Sequence, residues 1–214
     1  MTFPFFALEG CDGVGKSTIR EALVDAFQRS GWPCSSVGQH SWLDPWTTRL
    51  IIDVRERRRS HSPAAIAESY LRDKQLHARN TIVPMQAASV VIADRYVVSD
   101  AVYQEVLYGI PARDTLERHR VAGTPMPTAV LYVDVRLDEA VRRIARRSKH
   151  KRHYERPADM ARIISTYRRT LMDDPPAWAP PFIVFGNDAP NVRDRVENEL
   201  LPLLLHHCPA RADA

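Results

Sequence analysis

An α/β fold, a parallel sheet covered by helices on both faces, is predicted by three features of this 214-residue chain. A short apolar run at residues 3–8 leads into a glycine-rich turn, Gly10-Cys11-Asp12-Gly13-Val14-Gly15-Lys16-Ser17, and then into a helical pattern. Short continuous apolar runs then alternate with segments of helical periodicity, as buried parallel strands joined by helical crossovers do. The length and the 44% hydrophobic content suit one sizeable core and fall short of two, so one domain over residues 1–214 is expected.

The elements follow in order. Residues 3–9 form the first strand, and residues 17–30 carry Ile19, Leu23, Ala26 and Phe27 on one helical face before Gly31 stops the helix. A short second strand covers 33–37. Residues 44–59 read as a basic helix, and Pro63 opens another that carries Ile66, Tyr70 and Leu71. The run Ser89-Val90-Val91-Ile92-Ala93 ends at Asp94 as a buried parallel strand does. Helices are expected over 100–107 and 112–121, a buried strand over 128–135, and a helix over 138–147. Residues 149–157 are too polar for a core and read as a mobile loop. A helix over 158–171, a strand over 182–185 and a helix over 192–205 complete the sheet layer, with a flexible tail at 206–214.

The glycine-rich turn is the strongest chemical signal. Lying between a strand and a helix, it offers successive backbone N–H groups and a positive helix end to phosphate oxygens. Its glycines permit the left-handed turns that such a cradle needs. Lys16 can reach the β- and γ-phosphates, and the Ser17 hydroxyl can ligate Mg²⁺. The pattern implies ATP and Mg²⁺ as cofactors, with Gly10, Asp12, Gly13, Val14, Gly15, Lys16, Ser17 and Thr18 as the donor-binding set. Asp94, at the carboxyl end of a buried strand, can join Ser17 at the metal or cap a helix. Asp12 stands out as a carboxylate inside an anion-binding loop, where it raises the electrostatic energy unless it serves a further purpose.

Bulk properties exclude other classes. There is no apolar run of 18 residues and no basic-then-apolar leader, so a cytoplasmic protein without membrane contact is expected. Three widely spaced cysteines, Cys11, Cys34 and Cys208, suit reduced thiols. Cys11 lies in the loop, where its alkylation would block nucleotide binding. The net charge of +4 is concentrated at Arg55, Arg57, Arg58 and Arg59 and between residues 142 and 156. Nucleic-acid binding is disfavoured because no aromatic residues interleave with the first cluster.

Four segments resemble the thymidylate (dTMP) kinases, a family of P-loop nucleoside monophosphate kinases. Residues 6–18, Phe6-Ala7-Leu8-Glu9-Gly10 through Ser17-Thr18, are similar to its opening motif, Asp12 included. Asp94-Arg95-Tyr96 with Ser99, Tyr103 and Gln104 resembles its second motif. Tyr70 through Lys74 resembles the stretch that contacts the base. Arg143, residues 146–152, Tyr154-Glu155 and Tyr167 are similar to its basic lid, expected over about 146–157. The resemblance implies a P-loop NTPase three-layer α/β/α sandwich with a five-stranded parallel sheet, a homodimer, and phosphorylation of a pyrimidine deoxynucleoside monophosphate, dTMP to dTDP.

It also implies roles. Lys16, Asp94 and Arg95 are catalytic, with Arg147 and Arg152 among the lid cations, because Val14 leaves the loop without a basic side chain. Asp12 faces the acceptor sugar, Tyr70 stacks on the base, Tyr103 closes the sugar pocket, and Ser99, Lys74 and Asp100 complete the acceptor site. Three departures stand out. Residues 39–49 lack the arginine that meets the acceptor phosphate, leaving His40 or Arg49 as substitutes. Lys74 replaces an arginine. Asp100 replaces an amide or hydroxyl; it either pairs with Lys74 or favours a base with an exocyclic amine. A nucleoside kinase, a kinase of a modified or cytosine-type nucleotide, and an ATPase or switch without a small acceptor are the alternative readings.

Overall fold

A computed structural model describes residues 2–147 and 152–209. The chain runs β1 (Phe5–Glu9), α1 (Lys16–Arg29), β2 (Cys34–Val37), α2 (Pro45–Arg55), α3 (Pro63–His77), α4 (Val83–Met85), β3 (Val90–Asp94), α5 (Val97–Tyr108), α6 (Ala112–Val121), β4 (Ala129–Asp134), α7 (Leu137–Arg146), α8 (Pro157–Arg168), β5 (Phe182–Gly186), α9 (Val192–Arg195) and α10 (Leu201–Leu205). The five strands form one parallel sheet in the order β2-β3-β1-β4-β5.

β1 lies at the centre, pairing Phe5 through Leu8 with Val91 through Asp94 on one side and Phe6 through Glu9 with Ala129 through Tyr132 on the other. Every residue of β1 is buried, as are nearly all of β3 and β4. That explains why these strands read as unbroken apolar runs: both faces are covered by helices. The carboxyl ends of β1, β3 and β4 open onto one edge, where such sheets hold their ligands. A satellite core of Leu50, Ile51, Val54, Ile66, Ala67, Tyr70 and Ile110 fixes α2 and α3 to the rest.

Local chemistry sets the helix ends. The Asp44 carboxylate accepts from Thr47 N at 2.8 Å and Ser62 Oγ from Ala65 N at 3.2 Å, each directly before a proline at the first helical position. α2 stops at Arg55, short of the expected residue 59, because Arg57 turns left-handed at φ 54°. α5 begins at Val97 rather than at 100. α3 passes through a π-helical turn, Ala78–Ile82, into α4, and α9 through another, Val196–Leu200, into α10. Pro84 and Pro202 follow these turns; the wider coil removes the clash a proline ring makes with the carbonyl four residues earlier.

Two further expectations are corrected. Tyr154 and Glu155, assigned to a polar mobile loop, are buried, the tyrosine ring against Tyr103 at 5.3 Å and the glutamate paired with Arg147. Neutralising the one charge and packing the other ring removes the objection to burial. In the tail, His206 to Cys208 continue as a hydrogen-bonded turn, with the His207 ring 6.1 Å from Phe6. Residues 210–214 lie outside the described residues, as do Lys149 and Lys151 of the basic segment.

Candidate functional site

The loop after β1 is a tight cradle. Gly10, Gly13 and Gly15 have φ of 137°, 82° and 92°. A Cβ on Gly13 would lie 2.4 Å from Ala140 O, and one on Gly15 2.5 Å from Asn187 Nδ2. Only glycine fits at either place. Lys16 donates from Nζ to Gly10 O at 3.1 Å and Cys11 O at 2.7 Å, carbonyls of its own loop. Burial and the nearby Arg95 bring its pKa down to about 8. The buried ammonium therefore gains from an anion in the cradle. The loop is braced by residues that sequence reasoning missed: Asn187 Nδ2 donates to Val14 O at 2.8 Å, and Arg143 reaches Val14 O at 3.3 Å and Asn187 O at 2.7 Å. Val14 itself is buried and contributes through that carbonyl.

The cradle forms one wall of a cleft of about 1620 Å³. Gly13, Gly15, Lys16, Ser17 and Thr18 of the loop and α1 line it, together with Arg143, Arg146, Arg147, Arg152 and Glu155. Asp94 lines it too, with Oδ2 held by Arg20 at 3.2 Å. Ser17 and Asp94 fit Mg²⁺ as one hydroxyl and one carboxylate, the sparse protein ligation this ion accepts when phosphates and water supply the rest. The guanidinium groups of Arg146 and Arg152 have no carboxylate partner among the described residues, although Arg152 N donates to Glu155 Oε2 at 2.8 Å, whereas the Arg147 guanidinium is paired with Glu155.

Arg95 joins the cleft to a second pocket. Its backbone is left-handed at φ 73°, and its N–H donates to Leu8 O at 3.0 Å, turning the guanidinium under the loop. Nη1 donates to Gly10 O at 2.8 Å, Ser99 Oγ at 3.1 Å and Tyr167 OH at 3.2 Å. Nη2 donates to Asp12 Oδ1 and to Tyr103 OH, both at 3.0 Å, and Tyr103 OH in turn donates to Asp12 Oδ2 at 3.0 Å. Burial opposes ionisation of Asp12, but Arg95, Lys16 and the Tyr103 hydroxyl outweigh it and hold the pKa at about 2. Glu9, wholly buried, accepts from Tyr96 N at 2.9 Å, from Tyr167 OH at 3.2 Å and from Ser99 Oγ. Burial raises its pKa. Ser99 is thus wholly buried between Arg95 and Glu9 and lines neither pocket, contrary to its expected contact with substrate.

The second pocket is walled by Tyr70, Tyr103, Tyr108, Tyr154 and Leu107, with His40, Gln104 and Arg55. Tyr70 and Tyr103 therefore line one pocket. Lys74 and Asp100 do not reach the wall. Both are wholly buried, 3.0 Å apart, with Lys74 Nζ also donating to Gln39 O at 2.7 Å and Gln39 Nε2 to Asp100 Oδ1 at 2.8 Å. The ion-pair reading of Asp100 is the one realised. Burial raises the Asp100 pKa to about 6 against the pull of Lys74.

Neither proposed substitute for the missing phosphate arginine serves. Arg49 is exposed beside Pro45, Arg58 and Arg59, away from the cleft. His40 is buried with Nδ1 2.9 Å from Asp73 Oδ2, and burial together with the Lys74 charge lowers its pKa to about 3, so it is no cation. Arg55, at the end of α2, lines both the cleft and the pocket instead. The sequence showed it only as one member of a basic cluster.

Cys11 is 1% exposed, and burial pushes its thiol up to about 11. The expected alkylation is therefore opposed by both access and ionisation. Among the described residues no helix is long and apolar enough to cross a membrane, and no three metal-ligating side chains cluster.

A phosphate cradle at the carboxyl edge of a parallel sheet, opening beside a cationic cleft and an aromatic pocket, defines a P-loop nucleotide kinase. The comparisons sharpen this class. The family model described as thymidylate kinase matches residues 8–178. The thymidylate kinase of Xylella fastidiosa (strain M12) is 32% identical over 157 residues, 73% of this chain and 70% of the relative. A probable thymidylate kinase of Archaeoglobus fulgidus is 28% identical over 144 residues, 67% and 70% of the two chains. The thymidylate kinase of Leptospira borgpetersenii serovar Hardjo-bovis is 25% identical over 173 residues, 78% and 80% of the two. The chain belongs to the thymidylate kinase family and is a nucleoside monophosphate kinase, a phosphotransferase acting on a small nucleotide.

Proposed function

We propose that the enzyme transfers the γ-phosphoryl group of ATP, with Mg²⁺, to dTMP and releases dTDP. One observation carries the acceptor half of this reading. Gln39, Arg55, Arg95 and Tyr154 line both the cationic cleft and the tyrosine-walled pocket. A nucleotide with its base among the tyrosines would thus set its 5′-phosphate between two arginines, beside the phosphate loop.

Each part then has a physical task. The loop amides and Lys16 hold the donor phosphates, and a low-dielectric setting strengthens the attraction between the ammonium and phosphate. Mg²⁺, when bound beside Ser17 and Asp94, neutralises phosphate charge and fixes the donor's orientation. Arg95 grips the acceptor phosphate through its planar fork, and Arg55 adds a second cation. Asp12, kept ionised, accepts from the sugar 3′-hydroxyl, and the Tyr103 ring closes on the 2′ position and favours deoxyribose. Arg146 and Arg152, free of carboxylates, supply charge to the phosphoryl group in transfer, while Arg147 holds Glu155 and with it Tyr154. The buried Lys74–Asp100 pair favours a thymine-type over a cytosine-type acceptor, since among the described residues no carboxylate lines the pocket. A homodimer belongs to the same reading, with sedimentation as its check.

A coupled assay of ADP release over a panel of nucleosides and monophosphates tests this. Release that requires Mg²⁺ and is greatest with dTMP is expected. Equal release with and without acceptor, or preference for a nucleoside, defeats the reading.

A further inference from the structure

Two residues that line the acceptor pocket each carry a buried polar nitrogen with no hydrogen-bond partner among the described residues, His40 Nε2 and Gln104 Nε2. His40 is 7% exposed and Gln104 1%. An unpaired buried polar atom carries its full desolvation penalty, so two beside one pocket call for a ligand that satisfies them.

Their chemistry is fixed by what lies behind them. Asp73 accepts from Ser41 N at 3.0 Å and Ser41 Oγ at 2.7 Å through Oδ1, leaving Oδ2 to His40 Nδ1. Burial works against the Asp73 charge, but His40 and Lys74 outweigh it and hold the carboxyl well below its ordinary range. An ionised carboxylate only accepts, so Nδ1 carries the proton and Nε2 the lone pair. Lys74 Nζ, 3.5 Å from Asp73 Oδ2, keeps the ring neutral. On the other side, the Thr115 hydroxyl donates to Gln104 Oε1 at 3.3 Å, which leaves the amide N–H of Gln104 free. The pocket therefore offers one acceptor and one donor.

We propose that His40 and Gln104, rather than Lys74 and Asp100, read the acceptor base: His40 Nε2 accepts the ring N3–H of a thymine or uracil, and Gln104 Nε2 donates to a ring carbonyl. Lys74 and Asp100 act as positioning residues, one setting the protonation of His40 and the other anchoring Gln39. The pocket holds about 30 Å³ of free space, enough for a water and too little for a pyrimidine, so the base enters by displacing a wall side chain. The inference rests on the pyrimidine deoxynucleotide reading above.

The experiment compares kcat/KM for dTMP, dCMP and 3-methyl-dTMP in the wild type and in His40→Phe, Gln104→Met and Asp100→Asn. The wild type is expected to reject 3-methyl-dTMP by roughly a hundredfold or more, since a site built to bond an N–H discriminates strongly against its loss. In His40→Phe dTMP falls by about that factor while 3-methyl-dTMP holds, so the ratio collapses. Gln104→Met lowers both thymine substrates by roughly tenfold. Asp100→Asn keeps the wild-type preference for dTMP over dCMP. A wild type indifferent to N3 methylation overturns the inference even if no variant folds, and a changed dTMP preference in Asp100→Asn overturns it by returning the reading to that residue. Absence of dTMP phosphorylation in the wild type would instead sink the proposed function, a separate failure.

Discussion

Acidification from pH 7 to pH 5 should destabilise the nucleotide-free enzyme through three buried histidines. His40, His77 and His119 are 7%, 3% and 1% exposed. Burial, aided by the Lys74 charge, lowers their pKa values to about 3, 4 and 3. In the unfolded chain each takes up its proton near pH 6.5, so between that pH and the folded values the unfolded state binds more protons. The stability they confer is complete above pH 6.5 and is lost as the pH falls. Integrating from pH 7 to pH 5 gives about 2 kcal/mol for each, about 6 in all. Asp100 works the other way: with its folded pKa raised to about 6, the folded state gains a proton first and returns about 1.5 kcal/mol over the same interval. Glu9, also raised by burial, acts in the direction of Asp100. The histidines win, with a net loss of up to about 4 kcal/mol, a large part of the stability of a typical domain. Urea unfolding followed by tryptophan fluorescence at constant ionic strength reads the difference. His119→Gln, remote from both pockets, should remove about 2 kcal/mol, roughly half of the net pH-dependent loss. A midpoint that stays level or rises on acidification would refute the reasoning, as would a His119→Gln profile parallel to that of the wild type.

Two further outcomes follow from the loop. Gly13→Ala should lose donor binding by at least roughly tenfold and stability by about 1–3 kcal/mol, because its φ is 82° and the new methyl would press on Ala140 O at 2.4 Å; calorimetric titration with ATP and a melt are the checks. Incubation at pH 7.5 with a small alkylating reagent should leave Cys11 unmodified by intact mass after Cys208 has reacted, since the loop thiol is buried and its pKa is pushed up to about 11.

The sheet was legible because its inner strands are covered on both faces and so appear as apolar runs, and the cradle was legible because a phosphate loop is a local motif. The acceptor side was not, for reasons that lie in long-range contacts. Even at the cradle the bracing was hidden for the same reason: Asn187 holds Val14 from 173 residues away, and Tyr167 reaches Glu9 across 158. Arg55 faces the cleft only because α2 ends where it does, and Arg49, on the same helix, faces away. The sequence places Lys74 at the acceptor base or in a pair with Asp100, but not wholly buried, since an isolated lysine rarely is. Its burial depends on Asp73, Asp100 and Gln39 arriving together from two helices and a loop.

Arg95 shows why both halves of the site had to be seen together. A left-handed backbone at a branched or long side chain is disfavoured by roughly 1–2 kcal/mol, and this arginine keeps it at the turn from β3 into α5. The strain persists because Glu9 accepts from Tyr96 N in the turn while Ser99, Asp12 and Tyr103 hold the guanidinium. Glu9 ends β1 and Asp12 belongs to the phosphate loop that follows it, so the strand that presents the donor loop also fixes the arginine assigned to the acceptor. On the proposed reading, the separation between the two phosphates would be set by one rigid turn rather than by two independent loops. Phosphoryl transfer, which depends on positioning more than on covalent chemistry, has most to gain from that arrangement.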